Sequence, residues 1–235
     1  MNDTVVSIVI AILALVGSIA SAGVTAYITL RSSQLTDIRQ ARTAHFKYHN
    51  PILLSAHQLQ SRFYNIASKN LYLYRPRYDD YIIRHTIYLI GQYFAWQAIL
   101  EKEVQFLAFD RSQDTIAFRD RAVAIREAFN SDQPTYGTEL MVWAGYQTAI
   151  GEIMIRKEEG GQRICMTYPE FCSEWDNLEE FRGWFRAIEA DLRLEGQDFR
   201  RMRHVQNALI DLVEVLDPKK ERYGQATLER CWIDG

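Results

Sequence analysis

Proline and glycine are scarce in this 235-residue chain, at 5 and 12 residues. So few turn formers exclude a fold built mainly of hairpins and tight turns. Cysteine is scarcer still. Cys165, Cys172 and Cys231 are odd in number and widely spaced, which supplies neither a disulfide framework nor the paired spacings of a zinc site. Charge of one sign is also lacking: 27 Lys and Arg face 30 Asp and Glu, for a net charge of −3. That balance gives no electrostatic footprint for nucleic acid, and none is expected as a partner. The chain contains no P-loop, no GxGxxG and no GxSxG, and Gly160-Gly161 is its only glycine pair. The motif-bearing nucleotide-binding and α/β-hydrolase classes therefore find no signature here, and no cofactor is expected. No repeat of 20–50 residues occurs.

What is present is apolar mass. Hydrophobic residues make up 48% of the chain and aromatics 12%, enough to exclude a disordered tail. Residues 5–30 run without a charge. As a helix they would rise roughly 39 Å, more than the ~30 Å hydrocarbon core of a bilayer. A single transmembrane helix is expected there. The competing reading is a cleaved signal, with Ala20-Ser21-Ala22 as a small-x-small site. Against it, the first four residues carry no Lys or Arg, the apolar run continues to Leu30, and an exported domain would hold an odd thiol.

The basic side chains that follow, Arg31, Arg39, Arg42 and Lys47, place the large domain on the cytoplasmic side by the positive-inside rule. Residues 31–69 hold six basic side chains against Asp37 alone, whereas the remainder is acidic. Such a collar suits anionic headgroups, so the lipid bilayer is an expected partner. Within the span, Ala14, Ser18, Ala22 and Ala26 recur every four residues. This small-xxx-small stripe suggests a homo-oligomer formed through the membrane helix.

The rest reads as consecutive helices. A basic juxtamembrane helix is expected over 31–50, a cytoplasmic helical domain over 51–218, and a C-terminal tail over 219–235. Asn50-Pro51 is expected to cap and open a helix whose Ile52, Leu53, Ala56, Leu59, Phe63 and Ile66 share one face. Residues 81–107 form the longest apolar stretch of this part, broken by Arg84, His85, Gln92, Gln97, Glu101 and Lys102. A buried central helix fits it better than a second span, because an arginine near mid-bilayer costs ~2.5–3.5 kcal/mol. Further helices are expected over 114–129, 138–157, 177–194 and 199–216, with one strand-like stretch over 163–168. The predicted class is all-α: a membrane helix followed by a helical bundle.

Candidate chemistry is sparse. His45 and His49 stand at i, i+4 and would share a helix face, as two metal ligands would, but no third ligand follows at a familiar spacing. No metal is expected. Glu152 lies in a strongly apolar helix, where a buried carboxylate requires a basic partner, and Arg62 is the candidate for that pair. Phe63, Tyr64, Tyr72, Tyr74, Tyr78 and Tyr81 crowd the joint between two helices and could offer a contact surface. The expected function is an interaction domain (adaptor, regulator or effector) with an unknown protein partner. The alternative is a membrane-tethered enzyme, a hydrolase using dispersed carboxylates and histidines. Convergence of Glu152, His57 or His85 in a polar pocket would favour the enzyme.

Overall fold

Ile52, Leu53, Ala56, Leu59, Phe63 and Ile66, spaced three to four residues apart, are each at most 2% exposed in the computed structural model. It describes residues 21–29, 31–32, 48–104 and 113–233. Burying each of the larger side chains contributes ~1.5–3 kcal/mol relative to leaving it in water. This stripe is the inner face of α1, residues 48–67. The helix is already formed at Tyr48, so Asn50 is not its cap, contrary to the expectation from Asn50-Pro51.

After a short 3-10 turn at Leu71–Tyr74 comes α2, Arg75–Val104, kinked at Tyr78, where φ is −131° and ψ is 29°. It is the central helix, with Ile83, Ile87, Ile90, Tyr93, Phe94 and Ile99 all in the core. Two of its glutamines donate to tyrosine hydroxyls on the same helix, although Gln92 Oε1 is buried without a partner. Gln92 donates to the Tyr88 hydroxyl at 3.4 Å and Gln97 to the Tyr93 hydroxyl at 2.9 Å, each one turn back. Helix α3, Gln113–Asn130, lies along α8, Arg200–Leu216, and α4, Ala144–Ile153, lies along α2.

Two expected helices are shorter or broken. The helix expected over 138–157 is confined to α4. Before it, Leu140 takes a left-handed φ of 58° and its N–H donates to Asp191 Oδ2 at 2.7 Å. After it, Ile155–Lys157 (β1) pairs antiparallel with Arg163–Cys165 (β2) around Gly160-Gly161, and Gly161 supplies a φ of 75° for the turn. Among the described residues the fold is thus helical with one hairpin. The helix expected over 177–194 is instead the end of α5, Tyr168–Asn177, followed by α6, Glu179–Gly183, and α7, Arg186–Arg193. The extended backbone at Leu178, φ −124° and ψ 100°, separates α5 from α6. The reason is packing. Six residues on a continuous helix turn by about 240°, which would leave Trp175 and Phe181 about 120° apart around the axis. With the break, both reach one aromatic cluster around Phe171 and Phe185.

The membrane-spanning helix requires correction. No helix among the described residues is long and apolar enough to cross a membrane. Of residues 5–30 the structure describes 21–29, a helix with exposed side chains. Residues 5–20 and 30, with Ala14 and Ser18, lie outside the described residues, as do Arg39, Arg42 and Lys47. The single-pass placement and the cytoplasmic orientation presupposed that span, and they fall with it.

The chain end is docked by side-chain amides. Gln206 donates to Glu229 O at 2.8 Å and accepts from Cys231 N at 3.0 Å, so it pairs with the tail as a neighbouring strand would. Gln60 accepts from Gln206 at 3.1 Å and donates to Thr227 O at 3.0 Å. Both glutamines are buried, so these bonds are what makes their burial tolerable.

Candidate functional site

The buried Glu152–Arg62 pair is not formed. Glu152 is half exposed and binds Lys102, at 2.7 Å on α2. Arg62 points from α1 toward a different part of α2, where its Nη2 donates to His85 Nδ1 at 2.5 Å. A guanidinium has no acceptor, so this bond assigns the Nδ1 lone pair to Arg62 and leaves the ring proton on Nε2. Burial, with the Arg62 charge adding to it, pushes the His85 imidazole down to about 4. It is a neutral acceptor at ordinary pH.

Aromatic rings enclose this contact. Tyr81 stacks on His85 at 5.3 Å and 14°, and the Arg62 guanidinium lies 5.5 Å from the centre of the Tyr81 ring. Tyr168, at the start of α5, meets His85 edge-on at 4.9 Å and 89°. A capping arrangement positions it: the Glu170 carboxylate accepts from Thr167 N at 2.6 Å and from Thr167 Oγ1 at 2.7 Å. Those bonds hold Glu170 below the usual carboxylate range. Burial raises the Tyr168 hydroxyl to about 12, with a hydrogen bond to Cys172 adding to the effect. Arg84, the residue before His85 on α2, donates to Asp176 at 3.1 Å.

Outside this cluster the surface is tyrosine and arginine. Leu73, Tyr74, Tyr78 and Tyr81 are exposed. Arg77 lies 5.2 Å from the Tyr78 ring centre, and Arg75 lies 5.0 Å from that of Tyr72, whose hydroxyl reaches Leu192 O at 3.0 Å. Of the tyrosines crowded in the sequence, Tyr74, Tyr78 and Tyr81 are exposed, Tyr72 packs edge-on against Phe199 at 5.5 Å, and Tyr64 pairs with Glu229 of the tail, whereas Phe63 turns into the core.

The remaining candidates stand apart. His57 stacks on Tyr223 at 3.6 Å, with its Nε2 buried and unbonded, and burial lowers its pKa. His49 bonds Leu216 O at 2.8 Å, and His45 lies outside the described residues. Among the described residues no group of three His, Cys, Asp or Glu side chains is placed to hold a metal. Cys165, Cys172 and Cys231 are thiols, and burial pushes Cys165 up to about 12. A cavity of about 220 Å³ borders His49, Leu53, Leu216 and Arg222, but the carboxylate beside it, Asp217, is engaged by the backbone N–H groups of Glu221, Arg222 and Tyr223. Glu152, His57 and His85 therefore have three separate sets of partners.

Sequence reasoning did not single out Tyr168 as a neighbour of His85, because α5 meets α2 only in the tertiary structure. It also passed over Arg201, for which a signal existed: Arg201 shares the four-residue stripe of Val205 and Leu209, the core face of α8.

Comparison with protein-family models, curated proteins and solved structures finds no match. The function is accordingly argued from the geometry of the site alone.

Proposed function

We propose that this chain is an interaction domain, an adaptor, regulator or effector, which binds a protein partner through the face formed by residues 71–81 and the Arg62–His85 cluster behind it. The carrying observation is the composition and fixation of that face. Tyr74, Tyr78 and Tyr81 are exposed, with Arg77 against the Tyr78 ring and Arg62 and the His85 ring against Tyr81. Tyrosine and arginine dominate the energetic centres of protein interfaces, because they bring large contact area with few rotatable bonds or several donors. The hydrolase alternative draws no support from the described residues, whose carboxylates and histidines do not converge.

The test uses a photoreactive amino acid placed in the full chain at Tyr78 or Tyr81, with exposed Glu180 as the control position. Adducts of one size from positions 78 and 81, absent from 180, are expected. Tyr81→Ala should weaken capture by about tenfold, the effect of losing ~1.4 kcal/mol at an interface centre. No adducts at 78 and 81, or the same adducts from 180, would remove this reading.

A further inference from the structure

We infer that Arg62 is a receptor for an oxyanion, a carboxylate or a phosphate monoester carried by a side chain of that protein partner. This rests on the reading of the face given above and specifies the chemistry of what it receives.

Half-buried arginines elsewhere in the molecule carry their own carboxylates. Arg75 has Asp79 at 2.6 Å, Arg84 has Asp176 at 3.1 Å, Arg156 has Glu174 at 2.8 Å and Arg163 has Glu103 at 2.7 Å. Arg62 is half-buried too, yet its hydrogen-bond partner is a neutral imidazole and no carboxylate of the described residues pairs with it. A histidine acceptor orients the guanidinium without cancelling its charge. Had the fold needed only a tie between α1 and α2, an Asp or Glu in place of His85 would have made a stronger bond.

The donors are also available. One N–H of Nη2 goes to His85, and no nitrogen of Arg62 is buried without a partner, so the remaining donors open to solvent. The imidazole contact and the Tyr81 ring hold the planar fork in one orientation, which lowers the entropy lost when two parallel N–H groups meet an oxyanion. A partner seated on Tyr78 and Tyr81 would exclude water from this position, strengthening a charge-assisted bond there. Arg77, a second exposed arginine on the same face, adds long-range attraction for an acidic segment.

The probes are phenyl phosphate and phenylacetate, titrated into the full ¹⁵N-labelled chain at ionic strength held constant with sodium chloride. The readout is the side-chain ¹H–¹⁵N resonances of Arg62 and His85, identified by their loss in Arg62→Gln and His85→Phe. Saturable shifts at both side chains are expected. Arg62→Gln should abolish the shift at His85, and Arg62→Lys should weaken binding several-fold, because an ammonium keeps the charge and loses the fork. Arg163→Gln, which removes an arginine already paired with Glu103 outside this cluster, should leave the titration as it is. Saturation with both probes supports an acidic side chain, and saturation with phenyl phosphate alone supports a phosphorylated one. Shifts that are linear in concentration, or that persist at His85 in Arg62→Gln, overturn the inference. The two readings fail separately. Saturation without cross-linked adducts at 78 and 81 would leave the oxyanion receptor and remove the protein partner, whereas adducts without saturation would do the reverse.

Discussion

Arg201 shows how one side chain joins distant parts of the chain. Its side chain is 2% exposed and its five N–H donors go to five main-chain oxygens, those of Ala128, Phe129, Ser131, Gly137 and Glu139. These carbonyls belong to the end of α3 and the loop after it, where helix geometry leaves oxygens without intrahelical donors and the dipole favours a cation. The cost of burying the charge is visible in an Arg201 pKa lowered by desolvation. Arg201→Met keeps the apolar stem and removes the guanidinium donor from all five carbonyls, of which Phe129 O still accepts from Val142 N at 2.9 Å. We expect a loss of ~3–5 kcal/mol, since each buried orphan costs ~1–3 kcal/mol and water recovers some of them. The urea midpoint should fall with little change in slope. Arg201→Lys should recover only part, because three donors replace five. A midpoint unchanged in Arg201→Met would show that water satisfies the loop unaided.

At the scale of elements, the crossing of α2 and α4 depends on a missing side chain. A Cβ on Gly151 would stand 2.6 Å from the Phe94 carbonyl oxygen and 3.0 Å from its carbon, and this obstacle is main chain rather than a movable side-chain tip. Alanine would gain ~1 kcal/mol of helix propensity over glycine. The overlap outweighs it, because parting two packed helices costs ~1–3 kcal/mol and exposes Ile150 and Met154. Gly151→Ala should therefore lower the thermal midpoint. Gly145, six residues earlier on the same helix, has open space around its position, so Gly145→Ala should leave the midpoint unchanged or raise it. Calorimetry on the pair separates propensity from packing. A higher midpoint for Gly151→Ala would mean that the helices do not meet as described.

For the whole molecule, the histidines set the response to acid. Burial lowers the pKa of His57, His85 and His204 from the ordinary 6.5, and His85 reaches about 4. Between those values the unfolded chain binds more protons than the folded one, so stability rises with pH there and is lost as pH falls. Asp217 extends the loss below 3.8: burial pushes it up, but the N–H groups of Tyr223, Arg222 and Glu221 outweigh that and hold it low. Asp191, raised by burial, opposes the trend just above 3.8. The urea midpoint should decline steadily from pH 6.5 to pH 4. His85→Gln, which keeps an acceptor for Arg62 without a titrating group, should flatten part of the decline. A midpoint constant across this window would contradict the burial of all three rings.

The sequence by itself determined the elements whose cause is local. The face of α1 follows from Ile52, Ala56, Leu59, Phe63 and Ile66, and α8 ends where Asp217-Pro218 stops it, because a helical period and a breaker act over one or two turns. It also marked Tyr72, Tyr74, Tyr78 and Tyr81 as a cluster, since residues a few positions apart stay neighbours in any fold. The tertiary structure alone decided which charges met. Lys102 took Glu152, His85 took Arg62, and Gln206 took the backbone of Cys231. It also decided that residues 155–157 leave a helical pattern to pair with 163–165, and that the 177–194 stretch breaks to bring Trp175 and Phe181 into one core. Periodicity records which way a side chain faces on its own element. What it faces depends on how elements distant in sequence pack, and there the burial of whole aromatic side chains, at ~1.5–3 kcal/mol each, outweighs local preferences of ~1 kcal/mol or less.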